Sequence, residues 1–181
     1  KPALITEFGG SPFAAGADLL IQSLHNGLWA SVGIPLGGAP MFWWWGLVDE
    51  NNLYPEFRTV SAFMRDEDRR GTNFVVRPVQ FRVGPGASDD YAATCLSDGA
   101  RGWGWIYSKA AGRSATNLTL VLRDMDAGTV DVEFWDTRRG EPIAKIQAEV
   151  DQTALRVSVP AFDKDIAFKL KPESNRASPA L

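Results

Sequence analysis

The chain is poor in the residues that build covalent cross-links and metal centres. Its 181 residues include one cysteine, Cys95, and one histidine, His25. A lone cysteine excludes an internal disulfide and any cysteine zinc cluster, and a single histidine removes the commonest transition-metal ligand. No metal or other cofactor is therefore expected. An excess of one charge is also lacking: 19 basic and 22 acidic residues give a formal net charge of −3. These charges are scattered rather than blocked, which leaves no electrostatic footprint for nucleic acid or an anionic membrane. No apolar run reaches the ~20 residues that a membrane-spanning helix requires. The chain opens with neither an initiator Met nor a signal peptide, so it does not report its own targeting.

What is present is 45% apolar and 23% charged, the balance of a soluble globular protein. Its periodicity changes near Arg69-Arg70-Gly71. Before that point Leu20, Leu24 and Leu28, with Ile21 and Val32, recur at helical spacing, as do Phe57, Val60 and Met64. Pro55 suits the first turn of the second helix, where a missing N–H costs nothing. After Gly71 the period is two. Leu118, Leu120 and Leu122; Val130, Val132 and Phe134; Leu155, Val157 and Val159; and Ile166, Phe168 and Leu170 each alternate with other residues. Turn signals at Gly84-Pro85-Gly86, Ser97-Asp98-Gly99, Asp126-Ala127-Gly128 and Arg139-Gly140 separate such runs. This rhythm predicts about eight strands in an antiparallel β-sandwich. The domain reading is 1–70, then a sandwich over 71–172, then a polar, disordered tail over 173–181.

The first segment carries the chemistry. Lys1-Pro-Ala-Leu-Ile-Thr-Glu7-Phe-Gly-Gly10 reads as a short buried strand with a carboxylate at its C-terminal end. Ala39-Pro-Met-Phe-Trp-Trp-Trp45-Gly46 reads as a second strand ending in three tryptophans, with alternation placing Trp43 and Trp45 on one face and Trp44 on the other. A carboxylate can attack an anomeric carbon, and flat indole rings can support a sugar.

The order Thr6-Glu7-Phe8-Gly9, His25-Asn26-Gly27-Leu28-Trp29-Ala30-Ser31, Trp43-Trp44-Trp45 and Asn52-Leu53-Tyr54 resembles the last two strand–helix units of the clan A glycoside hydrolases, the retaining (β/α)8 TIM-barrel glycosidases. The resemblance implies an α/β plus all-β fold: barrel strands seven and eight, then the C-terminal β-sandwich sometimes labelled a collagen-binding domain. It implies a bacterial, extracellular or periplasmic enzyme whose partners are a carbohydrate substrate and the missing N-terminal part of the barrel. Glu7 matches the family's nucleophile. The acid/base residue, usually in an Asn-Glu pair on the fourth strand, is upstream of this sequence, so this fragment alone should be inactive. An aromatic residue at the end of the eighth strand floors the subsite where the bond breaks, which points to Trp45 first, then Trp44 and Trp43. Where the family often has Asp after the third Trp, this chain has Gly46; Asp49 or Glu50 would substitute.

Plainer roles suit other residues. His25 and Asn26 fall in a helix on the barrel's outside, which favours a structural role over a catalytic one. Asn51 and Asn52 look like capping residues at a helix start. Asn117-Leu118-Thr119 is a glycosylation sequon whose middle lies in a strand, and is read as coincidence. Trp103, Trp105 and Tyr107 share one strand face, as core or as a sugar platform, with core favoured. The competing reading from another class is a non-catalytic carbohydrate-binding or adhesion β-sandwich module. The two part on whether Glu7 faces a cleft with a second carboxyl.

Overall fold

Leucines four residues apart make one apolar stripe, and the helix they form runs Ala17–Ala30 (α1), with Leu20, Leu24 and Leu28 buried and Asp18 favourably placed in its first turn. A 3₁₀ turn, Ser31–Gly33, follows. Two shorter helices are Trp45–Glu50 (α2) and Tyr54–Phe63 (α3), the latter with Pro55 in its opening turn. The computed structural model describes residues 3–11, 16–71, 73–109 and 114–173; the expected tail beyond Glu173 lies outside them.

The alternating segments form ten strands: β1 (Val75–Val76), β2 (Val79–Val83), β3 (Gly86–Ala87), β4 (Tyr91–Ser97), β5 (Gly102–Ser108), β6 (Leu118–Leu122), β7 (Gly128–Asp136), β8 (Glu141–Asp151), β9 (Ala154–Val159) and β10 (Asp165–Pro172). They make one sheet in the order β1-β4-β5-β10-β7-β8-β9-β6-β2-β3, every neighbouring pair antiparallel. The sheet curls into a half-barrel until β2 returns against β4. Its concave side encloses a core that includes Phe81, Ile106, Leu120, Val132, Phe134 and Phe168. The sequon's Leu118 is 1% exposed and opens β6.

A second core lies on the other face of the sheet. There α1, α3 and the 3₁₀ turn cover Trp103, Trp105 and Ala167 with Leu20, Leu24, Leu28, Trp29, Val60 and Phe63. This cover buries both faces of β10: Ile166, Phe168 and Leu170 point into the half-barrel, Ala167 and Lys169 toward the helices. Two glycines permit the close approach. A Cβ on Gly27 would fall 2.1 Å from the Phe8 ring, and one on Gly33 would fall 2.5 Å from the Thr94 backbone. Thr94 completes the second contact by donating its hydroxyl to Ala30 O at 3.1 Å.

The expected barrel segment followed by a two-sheet sandwich of about eight strands does not form. Among the described residues the β-segments pair into one curled ten-stranded sheet, because β10 bridges β5 to β7 and β9 bridges β8 to β6. The chain is mostly antiparallel sheet with three short helices, and no TIM-barrel strand–helix unit is present among the described residues. Residues 3–8 and 36–42 run parallel but meet only in isolated bridges, Ala3 with Leu36 and Phe8 with Phe42. Pro40 has no N–H to give, and Gly9, Gly10, Gly37 and Gly38 weaken an extended segment, so no continuous ladder forms. Ala3 to Glu7 are exposed, whereas a barrel strand is buried on both faces. The tryptophans do not end a strand either: Trp44 precedes α2 and Trp45 is its first residue, so the expected strand alternation does not apply to them. Asn51 and Asn52 mark a helix exit instead of a helix start. Asn51 follows α2 and donates its side-chain amide to Leu47 O at 3.0 Å, and Asn52 adopts φ of 48°. Among the described residues no helix is long and apolar enough to cross a membrane.

Cys95 is fully buried in β4, and burial pushes its thiol up to about 12. A thiol so placed stays protonated and inert. The native protein should therefore resist an aromatic disulfide reagent that labels Cys95 completely in denaturant; rapid labelling under native conditions would contradict the buried placement.

Candidate functional site

The candidate site is built around the bridge between Phe8 and Phe42. Their rings pack tilted with centroids 5.2 Å apart, Phe42 is buried, and Phe8 is seated against Gly27 of α1. Backbone hydrogen bonds from Phe8 N to Met41 O at 3.0 Å and from Trp43 N to Phe8 O at 2.8 Å hold the two stretches in register. Glu7 immediately precedes this clasp on one stretch, and Trp43 immediately follows it on the other. Glu7 and Trp43 thus flank the same clasp, two register positions apart along it.

Both lie toward solvent. Glu7 is exposed and has no hydrogen-bond or ion-pair partner among the described residues. Trp43 is 53% exposed and Trp45 79%, unusual values for the largest apolar side chain. Trp44 differs: it is half-buried, and its indole N–H donates to Gly10 O at 2.6 Å, tying the Gly9-Gly10 turn to the start of α2. It is a fastener more than a free surface. Asp49 is exposed one helical turn after Trp45, so the two are neighbours on one face of α2. Its Oδ1 accepts the Tyr54 hydroxyl at 3.0 Å, and this hydrogen bond, with the charge of Asp49, raises the pKa of Tyr54. Exposed Leu4, Ile5 and Met41 belong to the same two stretches.

Trp103 and Trp105 are not a sugar platform. They are 2% and 3% exposed, sealed between sheet and helices, and Trp105 stacks on Tyr107 at 5.0 Å.

A polar cluster between the helices and the sheet was not foreseen from sequence. His25 is wholly buried, with Nδ1 2.6 Å from Glu56 Oε2 on α3 and Nε2 2.7 Å from Asp165 Oδ2 on β10. Trp105 donates to the same Asp165 oxygen at 2.6 Å, and Arg138 donates to Glu56 Oε1 at 2.9 Å. Burial pulls the pKa of His25 down, but hydrogen bonds to Asp165 and Glu56 outweigh it and the net direction is up. Burial pushes both carboxyls up, and the hydrogen bond and charge of His25 carry them below their ordinary values. Both ring nitrogens are engaged, and among the described residues no group of His, Cys, Asp or Glu is arranged to hold a metal ion. The partners lie 31 and 140 positions from His25, beyond any local motif. The one available signal was a histidine on the leucine stripe of α1.

A second buried charge joins the layers. Lys169 Nζ lies 2.6 Å from Glu67 Oε1 and over the rings of Trp135 and Phe63, at 4.7 and 5.0 Å.

No protein-family model matches the chain, and no curated protein matches its sequence.

Proposed function

We propose that this chain contributes one wall of a retaining glycosidase site, with Glu7 as the nucleophile and the Trp43 and Trp45 rings as the sugar-binding surface. The observation that supports the reading is the Phe8–Phe42 clasp, which is flanked by the exposed Glu7, without a partner among the described residues, and by the exposed Trp43. Exposed indoles cost hydration free energy unless something apolar covers them, and the axial C–H face of a sugar is such a cover. Asp49, on the same face of α2 as Trp45, supplies a carboxylate for sugar hydroxyls. Retention needs a second carboxyl about 5–5.5 Å from the first, which protonates the leaving oxygen and then activates water. In this proposal that acid/base group comes from outside the chain, the substrate is a poly- or oligosaccharide, and the enzyme works outside the cytoplasm. The alternative of a non-catalytic sandwich module is weakened because burial of Trp103 and Trp105 removes the aromatic platform it would use.

Titration of tryptophan fluorescence with a panel of soluble glucan, xylan and mannan oligosaccharides tests the surface. Trp45→Ala is expected to weaken binding about 2- to 13-fold, the equivalent of about 0.5–1.5 kcal/mol for one lost stacking face. Absence of binding across the panel, or unchanged affinity in both Trp43→Ala and Trp45→Ala, would overturn the assignment.

A further inference from the structure

The ring of His25 is the point where helices and sheet are tied together. A neutral imidazole offers one N–H and one lone pair, so between two carboxylates it satisfies one and sets a lone pair against the other. An imidazolium donates to both. The charges agree with that state. Glu56 faces His25 from α3, Asp165 from β10, and Arg138 from the turn between β7 and β8; on α1 itself the neutral Gln22 accepts from Arg138 at 3.5 Å. Two anions and two cations balance only while His25 is charged, and its deprotonation leaves one uncompensated negative charge in a buried place.

We propose that His25, Glu56 and Asp165 form a proton-operated latch that holds the helical layer on the sheet when both ring nitrogens are protonated and loosens it when one is not. The layer it holds is the one that carries the exposed carboxylate and tryptophans. Residues 3–8 precede α1, residues 36–42 follow it, and Phe8 rests on Gly27, two residues along α1 from His25 and on the opposite side of the helix. The latch stands on this geometry whether or not Glu7 is a nucleophile.

The pH window follows from the directions. His25 is raised above 6.5, so its stabilisation is complete below 6.5 and disappears as pH climbs through the raised value. Asp165 and Glu56 are lowered from 3.8 and 4.5, so theirs is complete above those values and disappears as pH falls through the lowered ones. The latch is fully closed between about pH 4.5 and 6.5 and opens on the alkaline side as pH climbs through the raised His25 value.

Because the chain has one histidine, a ¹⁵N ring spectrum reports His25 alone. The expected result is an imidazolium whose two N–H signals persist above the ordinary histidine value of 6.5. The melting temperature should fall between pH 6 and 9, and amide exchange in α1, corrected for its intrinsic pH dependence, should quicken at least tenfold relative to β6 and β9. His25→Gln should remove the alkaline fall in melting temperature, and Asp165→Asn should lower the midpoint of the His25 titration by a unit or more. A His25 midpoint at or below 6.5, or an unchanged alkaline fall in His25→Gln, would overturn the latch. Should His25→Gln not fold, the wild-type titration decides alone.

Discussion

If the proposed acid/base partner is supplied and Glu7 is the nucleophile, Glu7→Gln is expected to cut glycoside turnover by at least about three orders of magnitude, roughly 4 kcal/mol of barrier, while leaving the fold intact. Glutamine keeps the shape of the side chain and removes the charge that attacks the anomeric carbon. The fold should tolerate it because Glu7 is exposed and holds no partner among the described residues. A change in stability within about 0.5 kcal/mol is therefore expected. A 2-deoxy-2-fluoroglycoside with a good leaving group should trap the glycosyl ester on the wild-type peptide containing Glu7, as peptide mass spectrometry would show. Glu7→Gln should leave that peptide unlabelled. A label on a different carboxylate, or a product of inverted anomeric configuration, would remove Glu7 from the mechanism.

The largest loss of stability is expected from Trp103→Ala, and it should leave the proposed sugar surface untouched. Trp103 is 2% exposed, its ring centroid 5.1 Å from that of Phe74, with the Arg69 guanidinium 5.9 Å above it. It fills the space between β5 and the helices, so truncation leaves a cavity that the sheet cannot close by moving. A loss of about 3–5 kcal/mol is expected, set against the 5–15 kcal/mol of a whole domain. Urea unfolding at pH 6, with the latch closed, measures it. A loss below about 1 kcal/mol, or abolished oligosaccharide binding in a variant that remains folded, would show that Trp103 is a ligand residue and not core.

Much of the secondary structure was legible because it is a local property. The Leu20, Leu24, Leu28 stripe specified α1, and the apolar positions of β6, β7, β9 and β10 alternated as half-buried strands do. Legibility ended where local pattern and long-range pairing disagree. Residues 3–8 and 39–45 have the composition of strands, yet a strand exists only through its neighbours, and these two meet in isolated bridges. The carboxylate and indoles stood out by residue type, whereas the clasp of Phe8 and Phe42 that joins their two stretches is a tertiary contact.

The amino-acid order alone determined the helical stripe of α1, the alternation of the later strands and that Cys95 could not form an internal disulfide. Only the tertiary structure decided that the β-segments close as one curled sheet, and that β5 presents its tryptophans to a helical cover instead of to solvent. It also decided that His25 meets Glu56 and Asp165. The physical reason is range: propensity and periodicity act over a few residues, whereas burial, charge pairing and sheet closure depend on groups 31 to 140 positions apart that become neighbours only when the chain has folded.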